Sequence, residues 1–120
     1  MDNYSTAELS AALKVISSTI SNCEKMLPKF EAGTAQYSLL QHRLKAMYIS
    51  NALILQDQNR QYSKVDLVDA LQPITSILRK CKAGQEKHAV ESPTFVRFQK
   101  IIHAMAIAQA LIETEIKNKS

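Results

Sequence analysis

Residues 46–54 read Ala46-Met47-Tyr48-Ile49-Ser50-Asn51-Ala52-Leu53-Ile54, and residues 104–112 read Ala104-Met105-Ala106-Ile107-Ala108-Gln109-Ala110-Leu111-Ile112. The second stretch repeats the first 58 residues later, with no gap. Working outward, Tyr4-Ser5 falls on Tyr62-Ser63 at the same offset. Leu9, Ala12, Leu13, Ile16, Ser18 and Cys23 fall on Leu67, Ala70, Leu71, Ile74, Ser76 and Cys81. A repeat of this length holds a pair of helices with their links, so the repeat itself defines the architecture.

The start of each helix is visible. Ser5 is followed three residues later by Glu8, and Ser63 by Asp66. Ser-x-x-Glu is the capping box, in which side chains satisfy the orphan amides of a first turn. Thr34 and the matching Ser92 open the second helix of each pair, and Pro93 stands where a helix tolerates proline best. The first helix carries Leu9, Leu13, Ile16, Ile20, Cys23 and Leu27, and the third carries Leu67, Leu71, Ile74, Leu78 and Cys81. Steps of four and three mark one apolar seam. Seams on the second helix (Tyr37, Leu40, Leu44, Met47, Asn51, Ile54) and the fourth (Phe95, Phe98, Ile102, Met105, Gln109, Ile112) complete the set. The expected fold is all-α: an antiparallel four-helix bundle built from two tandem helical hairpins, residues 4–54 and 62–112, with pseudo-twofold symmetry. Residues 1–120 are expected to form a single domain. Pro73 removes an amide where the first copy has Val15 and should kink the third helix. Gly84 is expected to end that helix in the left-handed conformation.

Composition agrees with an ordered helical chain. Of the 120 residues 46% are hydrophobic, with two glycines and three prolines. No uninterrupted apolar run reaches the ~18 residues of a membrane span. The acidic, polar start does not resemble a secretory signal. A cytoplasmic location is expected, with Cys23 and Cys81 as reduced, small buried hydrophobes. The net charge of +4 is uneven. Its excess gathers at Arg79, Lys80, Lys82 and Lys87, with Arg97 and Lys100 beyond. Nucleic-acid binding is not expected, because no aromatic side chains alternate with these cations to stack on bases. Whether the cluster has a ligand is left open.

Two features stand out as interaction candidates. Asn51 and Gln109 interrupt the two apolar seams at equivalent positions. A buried carboxamide is costly unless hydrogen-bonded. The pair should therefore face each other, or a water, near the pseudo-twofold axis and fix register. Asn51→Leu should then raise stability or change the oligomeric state. Leu39, Ala46, Ile49 and Leu53, with Ala104, Ile107 and Leu111, form a second apolar stripe on the second and fourth helices. It is either the wide core-facing arc of a bundle helix or, as the slightly favoured expectation, an external contact surface for a second copy or another helical protein.

Gln41-His42-Arg43-Leu44-Lys45-Ala46 resembles the His-x-Leu-Lys-Gly core of histidine phosphotransfer domains, which are also helical bundles. The resemblance implies His42 as phosphoryl acceptor and Lys45 as its electrostatic partner. Ala46 replaces the family's glycine, and Lys100 stands in the second copy where His42 stands in the first. In size, basic charge and bundle form the chain also resembles bacteriocin immunity proteins, with no motif in support. Nothing marks a catalytic centre, cofactor or small-molecule substrate: there is no phosphate loop, nucleophile elbow, Glu-x-x-His pair or Cys-x-x-Cys. The expected function is therefore that of a non-catalytic bundle that binds protein, as homodimer or adaptor.

Overall fold

The computed structural model describes residues 4–57 and 59–119. The acidic start, Met1 to Asn3, lies outside the described residues. Ser5 opens α1 (Thr6–Met26) and Ser63 opens α3 (Lys64–Gln85), each with a complete capping box. Each hydroxyl accepts from the amide three residues on, at 3.1 Å in both copies. The Glu8 and Asp66 carboxylates accept in return from the Ser5 and Ser63 amides. Thr34 opens α2 (Ala35–Leu55) and Ser92 opens α4 (Pro93–Asn118). Their hydroxyls accept from the Tyr37 and Phe95 amides, and donate to the Glu31 and Ala89 carbonyls at 2.8 Å in both copies. The hydrogen bonds of the helix starts thus repeat at the sequence offset.

The fold is an antiparallel four-helix bundle made of two hairpins, α1–α2 and α3–α4. Each hairpin also packs against the other through α2–α3 and α1–α4. Across the diagonals α2 and α4 touch, whereas α1 and α3 do not. The molecule measures 42 × 41 × 21 Å, two helix diameters deep and much wider than a stack of parallel helices, so the hairpins cross at an angle. Core side chains include Ile16, Met47, Ile49 and Leu67 with Ile74, Met105, Ile107 and Ile112, all closed to solvent. The buried residues of α2 and α4, which touch across the diagonal, include the small Ala46, Ser50, Ala104 and Ala108. Ser50 is the fully buried polar residue among those described; its hydroxyl donates to the Ala46 carbonyl at 2.8 Å, and Ala108 takes the same place in the second copy.

One local expectation, the one at Gly84, is corrected by the structure. The helix of α3 runs unbroken through Pro73, which is buried. Gly84 does not end α3: it is a helical residue one before the last, and the glycine with positive φ is Gly33, at 92°, ahead of α2. Gly84 is there for space. A Cβ at that position would stand 2.9 Å from the Phe98 ring, which leans against His88 with ring centroids 6.0 Å apart. The link after α1 is also distinct, a single 3-10 turn over Leu27–Lys29.

Gly84→Ala should lower stability by about 1 kcal/mol, since overpacking of ~1–3 kcal/mol exceeds the ~1 kcal/mol gained in helix propensity. Thermal melting of this variant, alone and with Phe98→Leu, checks the cause. The added leucine should recover the loss.

Candidate functional site

The second apolar stripe lies inside the chain. Ala46, Ile49, Ala104 and Ile107 are closed to solvent, Leu111 is buried and Leu53 is half-buried. The expectation of an external surface is corrected on this point. The physical reason is the short diagonal: α2 and α4 pack against both neighbours and against each other, so each needs a wide apolar arc. Leu39 alone of the stripe remains outside, 64% exposed.

The seam amides are also placed differently. Asn51 and Gln109 are both half-exposed, and no hydrogen bond joins them among the described residues. Hydrated carboxamides have no need of a buried partner, so the argument for a register lock falls away. The buried polar side chain among the described residues is Ser50, with apolar Ala108 as its repeat equivalent.

His42 is exposed on α2, and Lys45 one turn on is engaged elsewhere. The Lys45 Nζ donates to Asp66 Oδ1 on α3 at 2.7 Å. Its repeat equivalent is His103 on α4, whose Nε2 meets Glu8 Oε2 on α1 at 3.2 Å. Two pairs therefore join the hairpins at symmetric places, and each uses the carboxylate of a capping box. The Lys45 ammonium beside it, then the Ser63 hydroxyl, hold the Asp66 carboxyl below the usual carboxylate range. The same pair holds Lys45 protonated above its ordinary value. Glu8 is lowered chiefly by the Ser5 amide, with His103 adding to it. Folded values below the unfolded ones mean that these carboxylates add stability above the carboxylate range and lose it as pH falls through and below that range. Urea midpoints between about pH 6 and pH 3 should therefore fall for the wild type, and Asp66→Asn should flatten part of that slope.

The thiols are free. Burial pushes both Cys23 and Cys81 up, against the opposing charge of Arg43 on α2. Tyr48 donates its hydroxyl to Glu24, and that bond raises it. Among the described residues no group of three or more histidine, cysteine or acidic side chains is placed to hold a metal.

Two open surfaces are asymmetric between the repeats. The first is a groove of about 440 Å³ on the outside of the α1–α2 hairpin. Ile20, Tyr48, Asn51, Ala52 and Leu55 line it, and Asp57 and Arg60, 3.7 Å apart, close its end. The equivalent residues of the second copy are Leu78, Ala106, Gln109, Ala110 and Glu113. The α3–α4 hairpin is in more extensive contact than α1–α2, and Leu78 is buried where Ile20 is half-exposed. A second groove, of about 410 Å³, lies across the chain end of α2 and takes in Leu53, Leu67 and Leu111 beneath a polar rim that includes Gln56, Arg60 and Glu115. Leu53 and Leu111 are thus the stripe residues that reach a concave surface.

The other asymmetric surface is the end of the α3–α4 hairpin, where Arg79, Lys80, Lys82, Lys87, Arg97 and Lys100 are all exposed. By length and composition α4 could cross a membrane, but here one face of it, Ala104, Met105, Ile107, Ala108, Leu111 and Ile112, packs in the bundle core. Its uncharged run between Lys100 and Glu113 spans 12 residues, a length usual for a buried core helix.

Comparison with protein-family models, curated proteins and solved structures finds no match. Sequence reading missed the α1–α2 groove. The signal available was the mismatch between repeats at Tyr48/Ala106 and Leu55/Glu113, against a background of identical neighbours.

Proposed function

We propose that this chain acts without catalysis, by contact with another protein, as a homodimer or an adaptor, through the groove on the α1–α2 hairpin. The observation that carries this reading is the open groove with Leu55 58% exposed at its edge, where the second repeat has Glu113. An apolar side chain at the edge of a concave surface, unlike one alone on a convex face, is placed to meet an apolar partner. Concave surfaces of this kind receive the apolar side chains of a helix laid against them. The perturbed titratable groups support the same reading. Each is explained by a cap, an ion pair, a hydrogen bond or burial.

Light scattering over a concentration series, with capture from native lysate, tests the proposal on the wild type and on Leu55→Glu. The wild type should dimerise or retain a protein. Leu55→Glu should lose that property with an unchanged melting curve, because Leu55 contributes little to the core. A wild type that stays monomeric and captures nothing overturns the proposal, as does a Leu55→Glu variant that binds like the wild type.

A further inference from the structure

We infer that the basic end of the α3–α4 hairpin is a docking surface for an acidic segment of a partner protein. The pseudo-twofold symmetry supplies an internal control, because the same scaffold is built twice. Residues 79–100 hold six basic and two acidic side chains, while the rest of the chain holds nine of each. The whole net charge of +4 is therefore the charge of this one hairpin end. The equivalent end of the first hairpin, residues 21–42, holds two basic and two acidic side chains.

Position by position, Arg79, Lys80 and Lys82 stand where the first copy has Ser21, Asn22 and Glu24, and Arg97 and Lys100 where it has Leu39 and His42. Lys87 has a basic counterpart, Lys29. The fold does not require these cations, since α1 and α2 form the same hairpin without them. Nor does the helix dipole: Lys25 and Lys29 complement the end of α1. None of the six joins an ion pair among the described residues, where the pairs are Lys45–Asp66, Arg60–Asp57 and His103–Glu8. Concentrating a net charge of +4 at one hairpin end disfavours the compact state, and an acidic partner removes that repulsion on binding.

The partner's class follows from what accompanies the charge. Val90 and Val96 are exposed at the same hairpin end. Phe95 and Phe98 are half-buried and the exposed His88 ring lies against Phe98, so no series of free-standing rings alternates with the cations. A nucleic acid would want rings on which bases stack, and would meet Glu86 and Glu91 as repulsive. An acidic polypeptide with apolar side chains uses the valines, pairs with the cations and can register against the two glutamates. The inference rests on the reading of the chain as a protein-binding bundle, but not on the α1–α2 groove.

The test uses the full chain and three probes at about 50 mM salt, where surface charge is least screened: a random glutamate–tyrosine copolymer, a DNA oligonucleotide, and vesicles containing phosphatidylserine. The copolymer should bind most tightly. Lys80→Glu with Lys82→Glu and Arg97→Glu should weaken it about tenfold to a hundredfold. Lys14→Glu with Lys25→Glu and Lys117→Glu, the same change of net charge elsewhere, should weaken it about twofold at most. Glutamine at residues 80, 82 and 97 serves if the reversal unfolds the chain, with an intermediate loss expected. The inference is overturned if the copolymer fails to bind, if the two triple variants lose binding equally, or if DNA or vesicles bind more tightly. Dimerisation that persists in the Lys80/Lys82/Arg97 variant leaves the groove proposal standing while this one is judged separately.

Discussion

Ile107→Ala is expected to lower the free energy of unfolding by about 2–5 kcal/mol, with no change in particle mass. Ile107 is closed to solvent on the stripe where α4 meets α2, and its repeat equivalent Ile49 is equally closed. Truncation removes the transfer free energy of three carbons and leaves a cavity that rigid helices fill only in part. Against a typical domain stability of about 5–15 kcal/mol this is a large share. Ile49→Ala should fall in the same range. Urea unfolding followed by circular dichroism, with light scattering on the same samples, provides the measurement. A loss below ~0.5 kcal/mol, the usual cost of a surface change, would contradict the placement of this stripe in the core.

Pro73→Val is expected to raise stability by about 1–2 kcal/mol. Proline inside a helix costs ~3 kcal/mol relative to alanine, through its missing amide and its clash with the preceding turn. In α3 the missing bond is the one to the Asp69 carbonyl. Valine recovers that bond, less its own ~0.5 kcal/mol propensity cost and ~0.4–1 kcal/mol of unfolded-chain rigidity that proline supplied. Val15 holds the equivalent position of α1, so the scaffold accepts this side chain. Urea midpoints give the sign directly. A neutral or destabilised variant would show that the buried ring packs well enough to offset the lost bond.

The helix starts were legible because capping is local chemistry. Ser5, Thr34, Ser63 and Ser92 each bond to an amide three residues away, and no distant part of the chain is needed to see it. The second stripe was misjudged because periodicity reports that a face is apolar, not what covers it. Ala46, Ile49, Ala104 and Ile107 are covered by a diagonal contact that a square arrangement of helices would lack. Asn51 shares its side of the seam with Tyr37 and Leu44, and Gln109 with Phe95 and Ile102, all half-buried, whereas Met47, Ile54, Met105 and Ile112 on the other side are buried. Periodicity finds the apolar seam but does not say which of its two sides lies at the edge of the core. Gly84 looked like a helix stop because glycine usually ends helices. Its actual partner, Phe98, is 14 residues away and belongs to another element.

The two symmetric pairs have a wider consequence. Lys45–Asp66 and His103–Glu8 each take one member from each repeat, so neither hairpin contains a complete pair. The core across α2 and α4 is divided in the same way. The chain is in effect a dimer whose halves are tethered, with residues 56–62 as the leash. Tethering replaces an encounter between molecules by one within a molecule, at an effective concentration in the millimolar range for a short linker. It also frees the halves from being identical. A true twofold dimer would have to carry a basic end on both sides or neither, and a groove on both hairpins or neither. Here one half carries the groove and the other the charge.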